Sequence, residues 1–247
     1  MDQYGLIGYP LGHSFSKKYF SEKFKREKIQ AEYLNFEIES ISNLKDLLQT
    51  HPQLQGLNVT IPYKKEILPF LNRIDSEAKK IGAVNTIKIS REGSQIKLKG
   101  YNTDIIGFED SLKNHLKPHH DKALILGTGG ASLAVKFILD KLNIPFKFVS
   151  RGENPNAITY ESLSAKAMKE HTLIINCTPL GTFPNVDEAP EIPYEELSDK
   201  HFLFDLVYNP AETLFMKLGK ERGATVQNGL PMLEGQAEAA WDIWKKK

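Results

Sequence analysis

Cysteine is nearly missing from this chain: Cys177 is the only one in 247 residues. An intrachain disulfide is therefore excluded, which fits a reducing compartment, and Cys177 has no Cys-x-x-Cys or metal-ligand partner. The seven histidines include none at metal-ligand spacing. Charge of one sign is also missing. The formal net charge of +1 offers no electrostatic case for nucleic acid or an anionic membrane surface. No apolar run approaches the ~20 residues of a membrane span. Met1-Asp2-Gln3 lacks a basic leader segment, and Gly5-Leu6-Ile7-Gly8 is too short for the apolar part of one. Internal repeats and low-complexity tracts are absent. What remains is an expectation of a cytosolic α/β protein. The length suits one large domain or two.

The patterning present is that of an α/β protein. Apolar strands over 4–8, 31–38 and 56–60 alternate with helical periodicity over 16–28, 42–50, from Pro62 onward, and over 76–81. The stretches 83–89 and 96–101 read as a hairpin joined by Arg91-Glu92-Gly93. One hairpin among alternating units predicts a mostly parallel sheet with an antiparallel portion. Asn102-Thr103-Asp104 opens a helix to about residue 116. A second α/β series then begins, with strands at 123–126, 146–149, 172–175, 202–205 and 224–226. Helices are expected over 130–142, 160–170, 212–222 and 230–245.

Several stretches carry possible chemistry. In Asn58-Val59-Thr60-Ile61-Pro62-Tyr63-Lys64 a strand ends and Pro62 suits a first helical turn. Lys64 and Lys65 then sit against the positive end of a helix dipole. Exposed first-turn lysines are common, but a reactive lysine would also be placed so. Gly127-Thr128-Gly129-Gly130-Ala131-Ser132 lies between an apolar strand and a helix, the setting of a dinucleotide fingerprint, with Ser132 where the third glycine usually stands. Arg151, at the end of the next strand, suits a 2′-phosphate and so NADP; Glu153 is close by and would suit NAD. In His13-Ser14-Phe15-Ser16, two serines exceed what one helix cap requires, and no capping box follows. Asp104, taken alone, reads as a helix-start residue. Asn85 lies in a β-rich run that disfavours asparagine. Cys177 reads as a packing residue and His119-His120 as a solvated pair.

Together these stretches resemble the shikimate dehydrogenase family over nearly the whole chain. The match also rests on Gly82-Ala83-Val84-Asn85-Thr86, Gly100 to Asp104, Asn176 to Gly181, Asp205 to Pro210 and Asn228 to Ala237. The resemblance implies NADP-dependent, reversible reduction of 3-dehydroshikimate to shikimate, in aromatic amino acid biosynthesis. It implies two α/β domains with a cleft between: a mostly parallel-sheet substrate domain from 1–103 plus 229–247, and a Rossmann NADP-binding domain from 104–228. Ser14 and Ser16 would hold the substrate carboxylate with Tyr208 nearby. Thr60, Asn85, Asp104 and Gln236 would bind ring hydroxyls. Lys64 would be the acid/base group, paired with Asp104. Gly127, Thr128, Gly129, Gly130, Ala131, Ser150 and Arg151 would hold the NADP phosphates and ribose, and Leu206 and Gly229 would flank the nicotinamide. No metal, nucleic acid or membrane is implied, and the chain would act as a monomer or homodimer.

Departures from the family pattern qualify this. Ser150-Arg151-Gly152 stands where Asn-Arg-Thr or Asn-Arg-Ser is usual. Ser76 replaces a common acidic residue, with Glu77 adjacent. Thr128 replaces alanine in the glycine loop. A quinate/shikimate dehydrogenase using NAD or NADP is the nearest alternative. A non-catalytic NADP-binding regulator on the same fold is the alternative of another class.

Overall fold

The structure, a computed structural model, describes residues 1–11, 14–93, 95–152 and 154–246. By internal contacts the chain divides into two units, Met1–Asp104 with Gln236–Lys247, and Ile105–Gly235.

The first unit is built on a six-stranded mixed sheet. Its strands are β1 (Asp2–Gly8), β2 (Ala31–Glu37), β3 (Leu54–Val59), β4 (Arg73–Ile74), β5 (Thr86–Glu92) and β6 (Gln95–Tyr101), in the order β2-β1-β3-β5-β6-β4. β1 pairs in parallel with β2 and β3. β5 runs antiparallel to both β3 and β6, with Asn58 opposite Thr86 and Thr86 opposite Tyr101. The connecting helices are α1 (Phe15–Arg26), α2 (Leu44–Thr50), α3 (Tyr63–Glu66) and α4 (Ser76–Ile81). One face of the sheet buries Ile7, Leu54, Leu57, Val59, Ile87 and Ile89 against α2 and the segment after α3.

Three details differ from the sequence reading. The helix after Pro62 has only four residues, so Lys64 lies in its first and last turn at once. One turn sums too few peptide dipoles for the expected macrodipole to act on that lysine. Asn85 precedes β5 and is not inside it. β4 was not anticipated, because two residues show no period.

The second unit carries α5 (Asp104–Lys113), whose first residue belongs to the first unit, and a second six-stranded sheet. That sheet contains β7 (Ala123–Leu126), β8 (Phe146–Ser150), β9 (Ala157–Thr159), β10 (Leu173–Asn176), β11 (Phe202–Asp205) and β12 (Thr225–Gln227). All pairs are parallel, in the order β12-β11-β10-β7-β8-β9. This is the doubly wound arrangement, with its switch point between β7 and β10. The four residues of each of β7, β10 and β11 are fully buried, and the apolar runs Ala-Leu-Ile-Leu, Leu-Ile-Ile and Phe-Leu-Phe suit strands covered on both faces. The helices are α6 (Gly130–Lys141), α7 (Ala165–Glu170) and α8 (Leu214–Glu221). The expected helix over 160–170 is split: a single 3-10 turn covers Tyr160–Ser162, and Ser164 caps α7 by accepting from Ala167 N–H. β9, of three residues, was not anticipated. His120 is buried, with its ring nitrogens on Lys117 N–H and the Lys200 carbonyl, so only His119 of that pair is solvated.

The last helix, α9 (Leu230–Lys245), returns the chain to the first unit from Gln236 onward. Its buried residues Gln236, Ala237, Ala240, Trp241 and Trp244 fall on one face. Both tryptophans pack with Tyr4, Phe20, Phe24 and Tyr33. The Trp244 indole donates to the Ile87 carbonyl at 3.0 Å and covers Gly56, where an added Cβ would lie 2.3 Å from Nε1. Glycine is required there by that close approach.

Candidate active site and cofactor pocket

Sheet register assembles the first cluster. β5 is antiparallel to both β3 and β6, so its beginning lies beside both of their ends. Lys64 follows β3, Asn85 precedes β5 and Asp104 follows β6. Lys64 Nζ donates to Asp104 Oδ2 at 2.7 Å. Asn85 Nδ2 donates to the other carboxylate oxygen at 2.8 Å. The lysine and aspartate side chains are 28% and 16% exposed, so the pair is sheltered yet still reachable by a small ligand. The backbone on either side is tied as well: Val84 N–H donates to the Lys64 carbonyl, and Thr103 N–H donates to Asn85 Oδ1 at 2.7 Å.

Behind this cluster runs a chain of hydrogen bonds that all donate in one direction. The Tyr33 hydroxyl donates to Asn58 Oδ1 at 2.7 Å. Asn58 Nδ2 donates to Thr86 Oγ1 at 3.2 Å, Thr86 Oγ1 donates to Asn85 Oδ1 at 3.1 Å, and Asn85 delivers the last bond to Asp104. Tyr33, Asn58 and Thr86 are buried. Burial raises the Tyr33 hydroxyl well above the ordinary phenol range, so it remains a donor. Bonds aligned in this way polarise one another toward the terminal carboxylate.

The two serines separate in role. Ser14 is the N-cap of α1 and accepts from Lys17 N–H at 3.2 Å. Its hydroxyl proton is not consumed by that bond, so capping and donation to a carboxylate are compatible. Thr60 stands just after β3, its methyl against Gly8 and its N–H on the Ile7 carbonyl. Gln236 is buried on α9. Tyr208 is 37% exposed in the second unit, where burial of its ring raises the phenol above its usual range. His13 and Glu153, both used in the sequence reading, lie outside the described residues.

A pocket of about 370 Å³ lies at the switch point of the second sheet, lined by Gly127 to Gly129 after β7, Ser150 to Gly152 after β8, and Cys177 to Leu180 after β10. Gly127 has φ +94°, and an added Cβ would lie 2.9 Å from Thr178 Cγ2. At Gly129 and Gly130 an added Cβ would meet nothing within 4 Å, so bare backbone faces open space at the start of α6. A dinucleotide pyrophosphate fits such a cradle, with helix N–H groups and the dipole favouring its charge. Ser150 Oγ donates to the Gly152 carbonyl at 2.7 Å, and Arg151 is the charged side chain among the described lining residues. Gly130 and Ala131 open α6 immediately beyond the lining residues. Leu206 and Gly229 lie together: Gly229 N–H bonds to the Val207 carbonyl, and an added Cβ would collide with the Leu206 carbonyl at 2.2 Å.

Asp205 braces the walls of this region. Its Oδ1 accepts from Asn176 Nδ2 at 2.9 Å and Val207 N–H at 3.0 Å, and its Oδ2 accepts from Thr213 Oγ1 at 2.6 Å. Asn176 Oδ1 in turn accepts from Thr178 N–H and Oγ1. Burial pushes the Asp205 carboxyl up to about 6 against these three donors. Burial, with Asp205 nearby, also raises the Cys177 thiol far above its usual range, so Cys177 is no nucleophile. Sequence reasoning missed Tyr33, Thr86, Asn176 and Asp205 as supports, and Tyr160 and Thr178 as pocket walls. Asn58 did carry a signal, a polar amide inside a buried strand, the same one that drew attention to Asn85.

Known proteins match this architecture closely. A family model described as the shikimate dehydrogenase substrate binding domain matches residues 6–87. The curated shikimate dehydrogenase (NADP(+)) of Clostridium beijerinckii is 40% identical over 259 aligned positions, spanning 100% of this chain and 93% of that protein. Among solved structures, a chorismate mutase/shikimate 5-dehydrogenase fusion protein from Clostridium acetobutylicum has a TM-score of 0.86 at 40% identity, covering 98% of this chain and 90% of that one. The shikimate 5-dehydrogenase of Thermus thermophilus, solved with NADP(H) and shikimate, has a TM-score of 0.84 at 30% identity, covering 99% and 94%. With relatives at this identity aligned along its full length, the chain belongs to the shikimate dehydrogenase family.

Proposed function

We propose that this protein is an NADP-dependent shikimate dehydrogenase that interconverts 3-dehydroshikimate and shikimate. The observation that carries the reading is the Lys64–Asp104 pair at 2.7 Å with Asn85 on the second carboxylate oxygen. Reduction of a ketone builds negative charge on its oxygen. A positioned ammonium stabilises that charge and donates the proton, and the reverse reaction returns the proton to the amine. Asp104 holds Lys64 in place, and Asn85 holds Asp104.

The remaining assignments are carried over from the family pattern. Ser14 and Ser16 donate to the substrate carboxylate, joined by Tyr208. Thr60, Asn85, Asp104 and Gln236 bind ring hydroxyls. The substrate belongs to 1–103 with 229–247 and the cofactor to 104–228. Gly127 to Ala131 take the pyrophosphate, Ser150 and Arg151 the ribose and its 2′-phosphate, and Leu206 and Gly229 flank the nicotinamide. NADPH, when bound, would supply the hydride, and Lys64 would hold the proton that the ketone oxygen receives. No described helix is long and apolar enough to cross a membrane. The reading extends to a cytoplasmic enzyme working as a monomer or homodimer.

The test is turnover of shikimate with NADP and, separately, with NAD. Rapid reduction of NADP alone is the expected result. No turnover with either cofactor would overturn the reading in favour of a binding protein, and equal use of both, with quinate accepted, would favour the broader quinate/shikimate activity.

A further inference from the structure

Tyr160 opens the 3-10 turn after β9, one strand outward from β8. The residue is 8% exposed, and its ring packs in the second unit's core with Val149, Leu163 and Met168. It nevertheless lines the same pocket as Gly127 and Arg151. Its hydroxyl has no hydrogen-bond partner among the described residues. It is not sealed in the core either: among the described residues the only buried unpartnered side-chain polar atoms are Asn35 Oδ1 and Asn102 Oδ1. A tyrosine with a packed ring and an unpaired, accessible hydroxyl at a pocket wall turns that hydroxyl toward the pocket.

Two of the pocket's other hydroxyls are committed, and position 152 offers none. Ser150 Oγ donates to the Gly152 carbonyl and Thr178 Oγ1 to Asn176 Oδ1. Gly152 offers no side chain, although an added Cβ would meet nothing within 4 Å. Arg151 is close enough to Tyr160 to act on its phenol electrostatically. A phosphate monoester presents three acceptor oxygens, and a guanidinium fork engages two of them. A third oxygen needs a separate donor, or it stays with water.

We propose that the Tyr160 hydroxyl is that donor, binding the 2′-phosphate of NADP beside Arg151 and so determining cofactor specificity. The proposal rests on the NADP reading above. Burial holds the phenol at about 12, so it remains a neutral O–H donor throughout the working pH range. Tyrosine here supplies the hydroxyl that a threonine or serine at position 152 would otherwise bring.

The experiment is calorimetric titration of wild type and Tyr160→Phe with adenosine 2′,5′-bisphosphate and with ADP, which lacks the 2′-phosphate. The variant keeps the packed ring and loses no internal hydrogen bond, so its melting temperature should match wild type. Its affinity for the 2′,5′-bisphosphate should fall by about tenfold or more, the loss of one bond to a charged group. Its affinity for ADP should be unchanged. An unchanged bisphosphate affinity, or an equal fall for both nucleotides, would overturn the assignment while leaving the NADP reading intact. A wild-type protein that binds the two nucleotides alike would instead overturn the NADP reading itself.

Discussion

Asn85 holds Asp104 from both ends of its amide: Nδ2 donates to the carboxylate at 2.8 Å, and Oδ1 accepts the N–H of Thr103, the residue just before. The carboxylate that faces Lys64 is therefore fixed by side chain and backbone together. An asparagine can do this because its amide offers a donor and an acceptor at once. Aspartate at position 85 would lose the donor and set two carboxylates side by side.

Lys64→Met should reduce turnover by ~10²–10⁴, the range for a positioned acid/base group. At about 1.36 kcal/mol per decade this is roughly 3–5 kcal/mol of transition-state stabilisation. Shikimate affinity, measured by titration, should change far less. Asp104→Asn should also slow turnover, and the double variant should be little worse than Lys64→Met, because groups acting as a unit are non-additive. Near-normal hydride transfer by Lys64→Met in a single-turnover experiment would refute the acid/base role.

Tyr33→Phe keeps the ring stacked on Phe20, at 4.7 Å between centroids, and removes only the hydroxyl. Asn58 Oδ1 then loses its donor inside the core, which should cost about 1–3 kcal/mol in urea unfolding. If the hydrogen-bond chain also orients Asp104, kcat should fall as well. Lower stability with unchanged kcat would show that the chain serves the fold alone.

The serines should divide. Ser14→Ala removes the α1 cap and should cost about 0.5–2 kcal/mol, while Ser14→Gly should cost only a few tenths. Ser16→Ala leaves that cap in place. Both alanine variants should raise the shikimate KM, but only Ser14→Ala should lower the melting temperature through the helix. Equal loss of stability in both, with unchanged KM, would contradict this division.

Asp205 makes stability depend on pH in an unusual direction. Its carboxyl is raised from 3.8 to about 6 in the folded protein. Between those values the folded state holds the proton more firmly than the unfolded chain does. The stabilisation is complete below about pH 4 and is lost as pH rises through 6. Asp205→Asn, which cannot ionise, should therefore gain stability relative to wild type as pH rises from 4 to 7. Melting curves of both proteins across that range give the difference. A difference that stays flat would mean that Asp205 is not titrating there.

Much of the architecture was legible because its causes are local. Gly127 and Gly129 declare a tight turn between strand and helix, and the runs at 123–126 and 202–205 declare strands buried on both faces. Both signals lie within a few residues. The last helix, expected over 230–245 after Asn228-Gly229, is found over Leu230–Lys245. The shortest strands, β4 and β9, were not, because two or three residues carry no periodicity. Pro62 correctly marked a helix start but said nothing about where that helix would stop.

The residue types needed for the chemistry were present in the sequence by themselves: a lysine after a strand, an aspartate opening a helix, paired serines before another, and an arginine ending the second strand of a dinucleotide fold. Their meeting was decided by the tertiary structure. Lys64 and Asp104 are forty positions apart, and they touch because β5 runs antiparallel to both β3 and β6, a register set by side chains over the whole sheet. The Tyr33 hydroxyl and the Asp205 carboxylate gained their parts the same way. Burial withdrew them from water, and a buried polar group must find partners in whatever strands the fold brings alongside.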